Sequence, residues 1–214
     1  MKQNLTELVF ILDRSGSMSG LEGDTIGGFN GLLDRQRHEP GDALITTVLF
    51  DDKYELLHDR INIRGVAPMT RADYYVRGRT ALMDAVGMTV AKISAAQQHT
   101  VESERPARTL VVITTDGMEN ASREFNRAKV KALIERMKRE HGWEFIFLGA
   151  NIDSVMAAGE LGISAEYAAN YHADHQGTAA NFDAVASAVS SVRQCGVVGR
   201  AWRKAVDEDF RGRG

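Results

Sequence analysis

In the stretch LVFILDRSGSMSG, Leu8 to Gly20, an apolar run ends at Asp13, and Ser15, Ser17 and Ser19 follow at every second position. A core strand has no use for such a polar alternation, so these oxygens address something outside the core. Asp116 closes a second apolar run in VVITTDGMEN, and Thr80 in VRGRTALMDA opens a helical pattern. Asp13, Ser15, Ser17, Thr80 and Asp116 together offer hard oxygen donors, with neither sulfur nor imidazole among them. That chemistry selects Mg²⁺, with Mn²⁺ or Ca²⁺ as substitutes, over zinc. Neutral hydroxyls fill coordination positions without neutralising the ion, and two carboxylates leave it electrophilic. The pattern reads as a receptor for another molecule's carboxylate rather than as a closed structural cage.

Strands and helices have to bring these five positions together. ELVFILD from Glu7, TLVVITTD from Thr109 and WEFIFLGA from Trp143 have the length and apolar content of parallel strands covered on both faces. ALITTVLFDDKYELLHDRINI reads as two extended runs around Asp51, Asp52 and Lys53, a hairpin that adds an antiparallel strand. Between the strands, Leu82, Val86, Thr89 and Ile93, then Val130, Leu133, Ile134 and Met137, keep helical spacing, and Phe182, Val185, Val189 and Val192 mark a later helix. A short strand is expected at EYAANYH. The order is that of an α/β fold: a doubly wound, mostly parallel sheet with one antiparallel edge strand and helices on both faces. In such a sheet ligands bind outside the carboxyl ends of the strands where the winding reverses. The strands ending at Asp13 and Asp116 are therefore expected to be neighbours, with Thr80 reaching the same crevice.

The chain of 214 residues, 43% hydrophobic, suits one domain over 1–200, followed by a charged, partly disordered tail over 201–214. The 26 basic against 29 acidic residues give a formal charge of −3, which offers no long-range attraction for nucleic acid or membrane. One cysteine, Cys195, allows no intrachain disulfide, and no apolar run reaches the roughly 18 residues of a membrane span, so a cytoplasmic protein is expected. The first helix, about Gly20 to His38, carries Gly23, Gly27 and Gly31 at every fourth position with Gly28 beside them. Four helical glycines cost several kcal/mol at about 1 kcal/mol each. Close packing within the domain is the expected compensation.

Other features have ordinary readings. His172 and His175 in YHADHQG lack a third ligand and read as loop residues rather than a transition-metal site. Seven basic residues from Arg123 to Arg139 read as a solvated helix face. Glu119, Asp51 and Asp52 lie near the expected top of the sheet, where hairpin-turn chemistry accounts for the two aspartates. The nucleophile elbow G-x-S-x-G fails because Met18 holds its centre, and no phosphate-binding G-x-x-x-x-G-K-[ST] occurs. The enzymatic alternative is a Mg²⁺-dependent phosphohydrolase with Asp13 as nucleophile; a non-enzymatic binding role is the expectation.

Asp13-x-Ser15-x-Ser17, with Thr80 and TTDG at Asp116, resembles the metal-ion-dependent adhesion site of von Willebrand factor A domains. TVLFDD, DGMENASRE and FLGANID resemble a group of small stand-alone bacterial members. The resemblance implies Mg²⁺ at the top of the sheet and protein binding rather than catalysis. Ser15, Ser17 and Thr80 would be the metal-facing hydroxyls. Asp13 and Asp116 would ligate directly or through water, and a partner protein would supply an Asp or Glu carboxylate. It also implies that the last helix, here Thr178 to Arg193, can shift when a ligand binds.

Overall fold

A computed structural model describes residues 1–213. Six strands, β1 (Lys2–Asp13), β2 (Asp42–Phe50), β3 (Tyr54–Asn62), β4 (Pro106–Thr115), β5 (Glu144–Gly149) and β6 (Ala168–Asn170), form one sheet in the order β3-β2-β1-β4-β5-β6. Only β3 runs antiparallel, paired to β2 through the expected hairpin. Six helices surround the sheet: α1 (Glu22–Arg37), α2 (Leu82–Gln98), α3 (Arg127–His141), α4 (Ser154–Glu160), α5 (His175–Cys195) and α6 (Lys204–Gly212).

The central strands are apolar on both sides because both sides are covered. Leu8, Phe10 and Leu12 of β1 face Phe29 and Leu33 of α1 and Val185 and Val189 of α5. Val9 and Ile11 face the other way, into a layer with Val86 and Val90 of α2 and Val130 and Ile134 of α3. The basic residues of α3 lie opposite its buried Val130, Ile134 and Met137, the solvated face that the sequence suggests. No helix among the described residues is long and apolar enough to cross a membrane.

Two expectations are corrected. Residues 204–212 form α6 within the 201–214 stretch expected to be a charged, partly disordered tail. Val206 and Trp202 are buried in the α1/α5 layer, and the Trp202 indole donates to the Glu166 carbonyl at 3.0 Å. Burial of these two side chains holds down a segment whose composition is otherwise charged. The glycine spacing of α1 also fails as a packing face. A Cβ on Gly28 would lie 2.2 Å from the Phe182 ring of α5, whereas one on Gly23, Gly27 or Gly31 would meet nothing within 4 Å. Of the four glycines only Gly28 lies against α5, and the four-residue repeat of Gly23, Gly27 and Gly31 faces outward.

Opposite effects of the same substitution follow. Gly31→Ala is expected to raise unfolding free energy by about 0.5–1 kcal/mol through helix propensity. Gly28→Ala should lower it by about 1–3 kcal/mol through overpacking against Phe182. Urea denaturation of the two variants checks both; equal effects would show that the α1/α5 approach is wrong.

Candidate metal centre

β1 and β4 lie side by side, Leu12 opposite Thr114, so their carboxyl ends deliver Asp13 and Asp116 to one crevice. Three loops meet there: the turn after β1, the segment before α2, and the turn after β4. Gly16 N–H donates to the Gly78 carbonyl at 3.3 Å and Arg77 N–H to the Arg14 carbonyl at 3.0 Å, which ties the first two loops together. Asn120 joins the third. Its amide oxygen accepts from Thr80 N–H at 3.0 Å, and its own N–H donates to the Thr80 carbonyl at 3.0 Å.

All five residues singled out from the sequence fall in this cluster. Thr80 Oγ1 donates to Ser15 Oγ at 3.0 Å, Ser15 Oγ lies 3.1 Å from Ser17 Oγ, and Ser17 Oγ donates to Asp116 Oδ1 at 2.5 Å. Asp13 is held beside them: Oδ1 accepts from Ser15 N–H at 2.7 Å and Oδ2 from Thr115 Oγ1 at 2.5 Å. Asp13, Ser15, Thr80 and Asp116 are buried, while Ser17 is exposed, so the cluster opens to solvent at Ser17. Gly117 lets the third loop press in, because a Cβ there would sit 3.2 Å from Ser17 Oγ and 3.3 Å from Thr80 Oγ1.

Charge makes the cluster unusual. Burial raises the Asp13 carboxyl to about 6, against the hydrogen bonds from Thr115 and Ser15 that pull it down, and the neighbouring Asp116 adds to the rise. Burial raises Asp116 as well, with the Ser17 hydroxyl opposing. Asp116 Oδ2 is buried without a hydrogen-bond partner among the described residues. Two buried carboxylates, an orphaned oxygen and three hydroxyls fit a hard divalent cation. Among the described residues no group of three or more His, Cys, Asp or Glu side chains converges.

The adjacent cation, Arg14, is turned away from this pair. Its side chain is fully buried, with Nε donating to Asp51 Oδ2 at 3.0 Å, Nη2 to Glu55 Oε2 at 2.5 Å and Nη1 to the Asp73 carbonyl at 3.2 Å. Arg77 Nε reaches the same Asp51 oxygen at 2.7 Å. Burial acts to raise the Asp51 carboxyl, and hydrogen bonds from Arg77, the Lys53 N–H and Arg14 outweigh it, leaving it below the ordinary carboxylate range. Asp51 is thus the anchor of a buried ion network rather than a site ligand. Its carbonyl also accepts from Ala81 N–H, next to Thr80, at 2.8 Å.

Glu119, placed near the top of the sheet by the sequence, serves the backbone: it accepts from the N–H groups of Met83, Ala121 and Ser122. His172 and His175 do not form a site. His172 stacks on Phe210 with ring centroids 4.6 Å apart, and His175 Nδ1 lies 2.6 Å from Asp24. The supporting residues missed by sequence reasoning are Arg14, Tyr74, Arg77 and Asn120. Tyr74 is buried, and its hydroxyl donates to the Asp13 carbonyl at 2.5 Å. Their partners lie tens of residues away, so no local spacing marks them.

No protein-family model and no curated protein matches the chain. Among solved structures, proximal thread matrix protein 1 from the mussel byssus aligns with a TM-score of 0.58 at 16% identity, over 87% of this chain and 46% of its own. Another structure of that protein, with a zinc occupied MIDAS motif, aligns with a TM-score of 0.58 at 15% identity, over 86% and 46%. Manganese-loaded Plasmodium vivax TRAP protein aligns with a TM-score of 0.55 at 15% identity, over 80% of this chain and 70% of its own. The chain spans less than half the length of the mussel protein. At these identities the likeness establishes the fold, and that fold is the von Willebrand factor A type.

Proposed function

We propose that the chain is a metal-dependent protein-binding module that holds Mg²⁺ through Ser15, Ser17, Thr80, Asp13 and Asp116. The observation that carries this reading is the buried pair Asp13 and Asp116, with Asp116 Oδ2 unpartnered among the described residues, joined to three hydroxyls that open outward at Ser17. When bound there, the ion would act as a Lewis acid toward an Asp or Glu carboxylate of a partner protein. The chain's own groups do the rest. Thr115 and the Ser15 N–H fix the Asp13 carboxylate, Asn120 fixes Thr80, and Gly117 lets the third loop close against the hydroxyls. Mn²⁺ and Ca²⁺ are the expected substitutes, and the zinc and manganese in the mussel and Plasmodium structures support a divalent cation in general.

The phosphohydrolase reading fits less well. Both oxygens of Asp13 already accept short hydrogen bonds, and the residue is 1% exposed, so it is poorly presented for attack on a phosphate ester.

An open metal position can be tested without knowing the partner. With Mn²⁺ bound, adding acetate is expected to reduce the enhancement of water-proton relaxation, because the carboxylate replaces an exchanging water. Enhancement that acetate leaves unchanged, with the metal still bound, would count against carboxylate capture.

A further inference from the structure

The start of α2 and the loop after β4 cap each other. Thr80 stands just ahead of α2, and that helix has no side-chain cap of its own, because Ala81 occupies the N-cap position. The first N–H groups of a helix need acceptors from outside it. The loop supplies them: Met83 N–H donates to Glu119 Oε2 at 2.9 Å and Asp84 N–H to Ser122 Oγ at 3.0 Å. The loop in turn has no helix or strand from Asp116 to Asn126, so its own N–H groups need partners as well. Asp84 takes three in a row. Its Oδ2 accepts from Arg123 N–H at 2.8 Å, and its Oδ1 accepts from Glu124 N–H at 2.9 Å and Phe125 N–H at 2.7 Å. Nearby on the helix, a Cβ on Gly87 would lie 2.3 Å from the Phe125 ring, so the end of the loop seats directly on the α2 backbone.

We propose that Asp84 is a positioning residue for the metal centre: through this reciprocal cap it holds Thr80 against Asp116 before any ion arrives, so that the oxygen cluster is a preformed receptor. The inference rests on the metal reading above. Asp84 acts at one remove. Its bonds fix the far end of the loop, while Glu119 and Asn120 fix the middle of it against Met83 and Thr80. Asp116 stands at the near end of the same loop, which is thus anchored along its length to the helix that Thr80 opens. With three N–H donors on its two oxygens, the Asp84 carboxylate is engaged by the loop rather than offered to an ion. A site held in this way binds without the cost of ordering a loop.

The test measures Mg²⁺ affinity by calorimetry and amide hydrogen exchange in the metal-free protein. Asp84→Ala is expected to weaken Mg²⁺ binding roughly 10–100-fold, the usual range for groups that orient metal ligands from behind. It should also speed exchange at Arg123, Glu124 and Phe125 by about tenfold or more, because each loses a hydrogen bond to a charged acceptor. Asp84→Asn removes the charge and keeps Oδ1 for Glu124 and Phe125, so it should recover most of the affinity. A loss in Asp84→Asn equal to that in Asp84→Ala would mean that charge acts rather than position, and would overturn the proposal. Gly28→Ala, which strains α1 against α5 away from this loop, should leave Mg²⁺ affinity unchanged. A comparable loss there would mean that stability alone governs affinity, with the same consequence. Where Asp84→Ala does not fold, Ser122→Ala removes the acceptor of Asp84 N–H and should move affinity and exchange in the same directions. Wild-type affinity or unaltered exchange in these loop variants would overturn the role. A wild type that binds no Mg²⁺ would overturn the metal reading and this role together, and exchange slowed by Asp84 would then mark it as a structural anchor only.

Discussion

Asp51→Ala is expected to lower the free energy of unfolding by about 3–5 kcal/mol, the usual cost of removing one partner from a buried ion pair. The substitution leaves the fully buried Arg14 guanidinium with Glu55 as its only carboxylate, and Glu55 is itself partly exposed. It also removes the acceptor for Arg77 Nε and the side-chain acceptor for the Lys53 N–H. The loss reaches the candidate site, because this network holds the turn after β1, the β2–β3 hairpin and the segment that ends at Thr80. Urea denaturation gives the stability change. A value under about 1 kcal/mol, typical of exposed pairs, would show that the network is not buried as described. The network also has a pH signature. A carboxyl depressed on folding contributes stability that is complete above its unfolded value, near 3.8, and is lost as pH falls through the lower folded value. Asp51→Ala should therefore be less acid-sensitive than the wild type below about pH 4.

The second large effect has the opposite sign. Asp13→Asn is expected to stabilise the metal-free protein by about 3 kcal/mol near neutral pH while removing metal binding. The folded-state value of about 6 stands above the ordinary carboxyl value of 3.8, so between these two the native protein binds more protons than the unfolded chain. Stability contributed by Asp13 is thus fully present below about pH 4 and is lost as pH rises through about 6. Asparagine keeps the shape. Its oxygen can accept from Ser15 N–H, and its amide can donate to Thr115 Oγ1, which can turn its own hydrogen to the Gly117 carbonyl 3.2 Å away. Melting curves from pH 4 to pH 8 should show the wild type losing ground to the variant as pH rises. Added Mg²⁺ should raise the melting temperature of the wild type alone. A variant less stable than the wild type at every pH would mean that the Asp13 charge is not costly in the folded state.

How far the sequence revealed this arrangement depends on the range of the interactions. The sheet was legible because Leu8 to Leu12 and Leu110 to Ile113 are apolar on both faces, which only a doubly covered strand requires. Asp13, Ser15, Ser17 and Asp116 stood out because they interrupt that pattern at strand ends, and the reversal of winding between β1 and β4 made them neighbours. Arg14 could not be found in this way. It occupies an unspecified position between Asp13 and Ser15, and its carboxylate partner lies 37 residues away. Asn120 and Tyr74 are hidden for the same reason. In α6 the signal was present but outweighed: Trp202, Val206 and Phe210 recur every four residues inside a charged stretch. The glycines of α1 show the reverse failure, a regular spacing that marks no contact except at Gly28.

Whether Asp13 and its neighbouring hydroxyls receive a divalent cation is read out by calorimetric titration. Chelator-stripped wild type and Asp13→Asn are each titrated with Mg²⁺ and Mn²⁺. The expected result is saturable binding of one ion per chain in the wild type and none in the variant, with both proteins folded. No binding in the wild type, or equal binding in the two, would mean that the oxygen cluster is not the metal site.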